Sequence, residues 1–163
     1  MKTMTKSGPQ SAAPFDPAWK ALLECAALEV FEMMAGAHPE VSDANEEPRG
    51  DQTAMVGLAG ALCGMTTLRC SRAAAGKFAS LMLGGDAAAN PATARDALGE
   101  LCNMIAGNFK AKVSGLADQC MLSVPTVISG EDYSMSTLEP TDSITLAMKY
   151  EGEPIWVSLI AHS

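Results

Sequence analysis

Residues 99–108, GELCNMIAGN, lie at the centre of the longest helical pattern in the chain, yet they include two glycines and two asparagines. Each glycine costs a helix interior about 1 kcal/mol relative to alanine. The frame around them is nevertheless helical. Asn90-Pro91 supplies a capping side chain and a proline suited to a first turn. The pattern predicts a helix over residues 91–116. On a wheel advancing about 100° per residue, Ala94, Leu98, Ile105 and Lys112 fall beside Leu101, flanked by Met104 and Ala97 on one side and Phe109 on the other. A sheet would cover that face. The opposite face carries Asp96, Gly99, Glu100, Asn103 and Gly107, with Ala106 close by.

Outward from this helix, the chain divides into short periodic blocks. Asp16-Pro17 opens an N-terminal helix with apolar residues at Trp19, Leu22, Leu23, Ala26, Val30, Met33 and Met34, and Gly36 is a natural stop. Residues 37–50 are rich in Pro, Glu and Asp and read as a loop with a short edge strand. TAMVGLAG (53–60) and LCGMTTLRC (62–70) read as two strands joined near Gly60. Ser71 caps a second helix over 72–83, ended by Gly84-Gly85. Beyond Cys120, MLSV, Pro125, TVIS, the alternating Ile144–Tyr150 segment, the turn Glu151-Gly152 and PIWVSLIA predict several strands. The order predicts an α+β fold with two layers, long helices laid on a mainly antiparallel sheet. Residues 1–15 read as a flexible tail and 16–163 as a single domain.

Composition narrows the function. Hydrophobic residues make up 48% of the 163 residues, enough for a substantial core. A net charge of -8 argues against nucleic acid and against an anionic membrane surface. No apolar run reaches the ~18 residues of a membrane span. The N-terminus has no apolar block of a secretory signal, so a cytoplasmic location is expected. The five cysteines are scattered, with no C-x-x-C pair, and read as reduced thiols rather than disulfides or zinc ligands. Cys102, about 100° from the centre of the apolar face, reads as a small packing residue. His38 and His162 have no neighbours at ligand spacing, so no metal site is expected. GLAGALCG and LGGDAAAN lack the G-K-[ST] of a phosphate loop.

The chemistry therefore rests on Glu100 and Asn103, three residues apart and neighbours on a helix surface. A carboxamide has no useful pKa, but it can hold a water by donating and accepting. A carboxylate can pair with a cation on a partner. No protein nucleophile stands beside them. The pair suits positioning catalysis on a group brought by another molecule. The glycines around Asn103 have two readings: close packing of another part of this chain, or clearance for a visitor.

TARDALGELCNMIAGNFKAKV (93–113) followed by LSVPTVISG (122–130) resembles the signature of the CheX branch of the CheC/CheX chemotaxis phosphatases: E-x-x-N on a long helix, then P-T-V-[VI]-S-G. Residues 53–85, ending in KFASLMLGG, resemble the family's strand pair and short helix. The resemblance implies a phosphatase acting on the aspartyl phosphate of a CheY-type receiver domain. Asn103 would orient the attacking water, and Glu100 would pair with the receiver's lysine. Asp96, Gly99 and Gly107 would lie on the docking face. The phosphatase would need no cofactor of its own, since the receiver supplies Mg²⁺. The first helix, with Glu24 and Glu29, has no E-x-x-N, so the resemblance implies one site. It also implies a homodimer joined through the sheets. Two rival expectations are a receiver-binding module without hydrolysis, related to flagellar switch proteins, and an adaptor dimer in another two-component pathway.

Overall fold

In the computed structural model the capping signals act where the sequence puts them. The structure describes residues 15–42, 46–86, 90–131, 133–134 and 141–162; the expected tail at 1–15 lies outside them apart from Phe15. Asp16 Oδ1 accepts the Ala18 N–H at 2.9 Å at the start of α1 (Ala18–Ala35). Gly36 ends that helix in the left-handed region at φ 60°, a conformation glycine adopts without a Cβ penalty. Ser71 Oγ accepts the Ala74 N–H at 3.1 Å to cap α2 (Arg72–Leu83), and the same hydroxyl donates to Glu153 Oε2 at 3.0 Å. Asn90 Oδ1 accepts from Ala92 and Thr93 at the head of α3 (Pro91–Lys112). Helix α3 stops four residues short of the expected Leu116. Val113 is already extended, and Gly115 follows at φ 87°, so the chain turns away before the periodicity ends.

Among the described residues the strands are β1 (Glu40–Ser42), β2 (Gln52–Gly60), β3 (Gly64–Cys70), β4 (Cys120–Leu122), β5 (Thr126–Ser129), β6 (Thr141–Tyr150) and β7 (Glu153–His162). They form one sheet in the order β1-β6-β7-β3-β2-β4, with β5 also on β2. Every pairing is antiparallel. Strands β6 and β7 meet in a two-residue turn in which Glu151 and Gly152 both take positive φ, as a hairpin twisted with its strands requires.

The three helices cover one face of the sheet. Register places Ala54, Leu68, Val157 and Leu146 in one row across β2, β3, β7 and β6, and all four are buried against the helices. Alternation sends Met55, Thr67, Ser158 and Thr145 to the other face. There Thr145 and Ser158 share a hydroxyl hydrogen bond of 3.1 Å, and Thr53 bonds the Tyr133 hydroxyl. Aromatic contacts tie the helical layer together: Trp19 meets Phe109 edge-on at 5.9 Å, and Phe78 lies 5.0 Å from Phe31 and 5.5 Å from Tyr150. No helix among the described residues is long and apolar enough to cross a membrane.

A polar clamp locks α1 to α3. Glu29 accepts from Asn108 Nδ2 at 2.9 Å and from Lys112 Nζ at 2.9 and 3.1 Å, and Asn108 also donates to the Ala26 carbonyl. Lys112, grouped with the core face on the wheel, instead snorkels its ammonium to this carboxylate. Hydrogen bonds from Asn108 and then Lys112 lower the Glu29 pKa from 4.5 to about 2. A depressed carboxylate stabilises the fold above its unfolded pKa, and the effect is lost as pH falls through the folded pKa. The pair is half-exposed, so its contribution is modest. Glu29→Gln is expected to melt below the wild type at pH 7. The gap should close as pH falls from about 4.5 toward 2, as followed by thermal melts across that range.

Candidate functional site on α3

The two faces of α3 separate as the wheel predicts on the core side. Leu98, Leu101, Ile105 and Phe109 are fully buried, and so is Cys102. Cys102 sits between helix and sheet, its thiol donating to the Thr66 carbonyl at 3.5 Å and the Ala54 carbonyl at 3.6 Å. Burial pushes its pKa up to about 12, so it is an inert packing residue and not a nucleophile. All five cysteines are free thiols.

On the outer face Asp96 and Glu100 are exposed, and Asn103 and Gly107 are half-buried. The side chains of Glu100 and Asn103 make no hydrogen bond or ion pair with other described residues. One turn apart, they have Cβ atoms about 5–6 Å from each other. They thus present a free carboxylate and a free carboxamide on a rigid helix whose far side is locked in the core. Chemically, such a pair can hold a water and pair with a cation, and a rigid backbone limits the entropy lost in any docking.

Two residues expected near this face are placed differently. Gly99 is buried: a Cβ there would meet Val127 Cγ2 at 3.4 Å and Pro125 Cβ at 3.5 Å. Its bare backbone serves packing within the chain, and it is not part of an open docking face. Ala106 is likewise fully buried. Gly107 keeps the other reading, since a Cβ there would touch only Leu122 Cδ1, at 3.8 Å, and the position is half-exposed. The two glycines therefore separate by mutation. Gly99→Leu should overpack against Pro125 and Val127 and lower stability by about 1–3 kcal/mol. Gly107→Leu should fold with near wild-type stability and project a side chain beside Asn103. Denaturant titration of both variants checks this; equal losses would overturn the distinction.

The helix wheel does not reveal the neighbour of this face. Strands β4 and β5 are two halves of an edge strand on β2, with Leu122 beside Gly107 and Pro125 beside Gly99. The signal was present in the PTVISG stretch, but only register and packing bring it alongside Asn103. Helix α1 offers no second pair, because the residue three beyond Glu24 is the buried Ala27 and Glu29 is held in its clamp. His38 is exposed, and the side chain of His162 lies outside the described residues. Among the described residues no group of three or more His, Cys, Asp or Glu side chains is arranged to hold a metal ion.

A family model described as chemotaxis phosphatase CheX matches residues 52–149. No curated protein matches significantly. Among solved structures, a putative chemotaxis protein from Desulfovibrio vulgaris Hildenborough superposes with a TM-score of 0.79 at 22% identity, over 92% of this chain and 100% of the other. The chemotaxis protein CheX from Desulfovibrio desulfuricans gives 0.77 at 24% identity, over 88% and 99%. A third similar structure, from Borrelia burgdorferi, is a CheX in complex with CheY, BeF3 and Mg²⁺; it gives 0.75 at 22% identity, over 89% and 98%. At these identities the superpositions establish the shared CheC-like α+β fold.

Proposed function

The chain belongs to the chemotaxis phosphatase CheX family, and from that premise we propose that it hydrolyses the aspartyl phosphate of a CheY-type receiver domain. The observation that carries the proposal is Glu100 and Asn103 on the outer face of α3, unpaired among the described residues and held by a helix whose opposite face packs into the core. A CheX with the same fold is found together with CheY in the Borrelia burgdorferi complex, which supports a receiver as the visitor.

In the proposed reaction Asn103 accepts from and donates to a water placed in line with the scissile bond. The water oxygen forms a bond to phosphorus. The bond from phosphorus to the receiver's aspartyl oxygen breaks, and its electron pair stays on the restored carboxylate. The water protons pass to phosphate and solvent, leaving inorganic phosphate. Glu100 pairs with a lysine of the receiver and fixes the approach. The receiver brings the phosphoryl group and the Mg²⁺ that offsets its charge, so this chain supplies positioning. A homodimer joined through the sheets and a cytoplasmic location belong to the same proposal.

The test is the decay of phosphate on a CheY-type receiver, with and without sub-stoichiometric protein. Accelerated decay with multiple turnovers supports the phosphatase. Binding without acceleration would favour a silent receiver-binding module, and neither binding nor acceleration would favour an adaptor in another pathway.

A further inference from the structure

Strands β4 and β5 run along β2 in registers that do not match. Leu58 pairs with Leu122 and Met55 pairs with Thr126. Two residues on β2, Val56 and Gly57, therefore face three on the edge strand, Ser123, Val124 and Pro125. Ser123 takes the place opposite Gly57: its N–H donates to the Gly57 carbonyl at 2.9 Å, and its hydroxyl accepts the Gly57 N–H at 2.7 Å. A Cβ on residue 57 would lie 3.2 Å from that hydroxyl, so glycine suits the close approach. Val124 and Pro125 are left against the single residue Val56, which is a β-bulge. Proline is tolerated there because the bulge needs no ladder N–H. Bulges re-aim side chains and are enriched at sheet edges and beside active sites.

The bulge sits beside the candidate pair. Leu122, before the bulge, and Pro125, within it, lie over Gly107 and Gly99 of α3, where an added Cβ would come within 3.8 and 3.5 Å of them; these are the positions four residues to either side of Asn103. Eight helical residues span about 12 Å, and three extended residues span about 10 Å, so the segment runs alongside the turn bearing Asn103. Val124, between those two anchors, is 84% exposed. An apolar side chain held out to water by a pinned backbone gains nothing for the fold.

We propose that Val124, displayed by the β4–β5 bulge, is a specificity-determining apolar contact for the phosphorylated receiver, covered when the receiver docks on Glu100 and Asn103. The inference rests on the receiver-directed reading above. Continuity with the candidate pair favours this occupant: the bulge lies between the two positions that flank Asn103 on α3, so a receiver seated on Asn103 would also cover Val124. Covering one valine side chain is worth about tenfold in affinity.

Binding is measured against a CheY-type receiver loaded with BeF3 and Mg²⁺, so that no hydrolysis is required. Val124→Asp should weaken binding about tenfold and raise the KM for the phosphorylated receiver by a similar factor, with kcat near the wild-type value. Val124→Leu should bind like wild type. Met121→Asp is the control: Met121 is also well exposed, at 77%, but it alternates with Leu122 and so points to the far side of the sheet. It should leave binding unchanged. Binding of Val124→Asp within twofold of wild type, or equal weakening by Met121→Asp, would overturn the contact while leaving the phosphatase intact. If wild type binds, Val124→Asp weakens that binding and no hydrolysis occurs, the contact stands and only the phosphatase falls. Failure of the wild type to bind would overturn both.

Discussion

Asn103→Ala is expected to lower the turnover of receiver phosphate by about 10²–10³-fold with affinity for the receiver changed only a few-fold. The carboxamide can both donate to and accept from a water, so under the proposed mechanism its loss removes alignment and not attraction. The substitution places alanine, the best helix former, on the surface of α3, and Asn103 bonds to no other described residue. Stability should therefore be unchanged or slightly raised. Single-turnover decay at saturating protein, combined with a thermal melt, separates the effects. Turnover within about threefold of wild type would remove Asn103 from the mechanism.

Phe109→Ala, on the buried face of the same helix, should do the reverse. Phe109 is fully buried and meets Trp19 edge-on at 5.9 Å, joining α3 to α1. Its removal costs about 3–5 kcal/mol through lost burial and the cavity left behind, a large share of the 5–15 kcal/mol typical of a whole domain. In a chain of this length that corresponds to a fall in melting temperature of roughly 6–20 °C. Below the new midpoint the folded fraction should keep most of its activity per molecule, because the Glu100/Asn103 face is not touched. A melt unchanged by Phe109→Ala would contradict the packing of α1 on α3. Together the two variants would separate the proposed working face of α3 from the face that holds the fold.

The elements were legible because their signals are local. Asp16, Ser71 and Asn90 each bond the first backbone N–H groups of their own helix, and such caps act within three residues. Glu151-Gly152 needs only its own dihedrals to close the β6–β7 hairpin. The Glu100/Asn103 spacing is local too, since any helix puts residues i and i+3 together. The helix end was less legible, because apolar residues continued past Lys112 while the backbone had already turned at Val113.

The sequence by itself determined the class of fold, the buried stripe of α3 and the Glu100/Asn103 pair opposite it, because periodicity and capping are properties of neighbours along the chain. Tertiary structure alone decided what lies beside that pair. Gly99 looked like clearance and proved to be a seat for Pro125 and Val127, while Lys112 looked like core and proved to be a clamp on Glu29. The bulge that displays Val124 exists only as a mismatch of register between β2 and its edge partners. Contacts between residues far apart in the chain depend on how the layers meet, and no helix wheel or strand alternation carries that information.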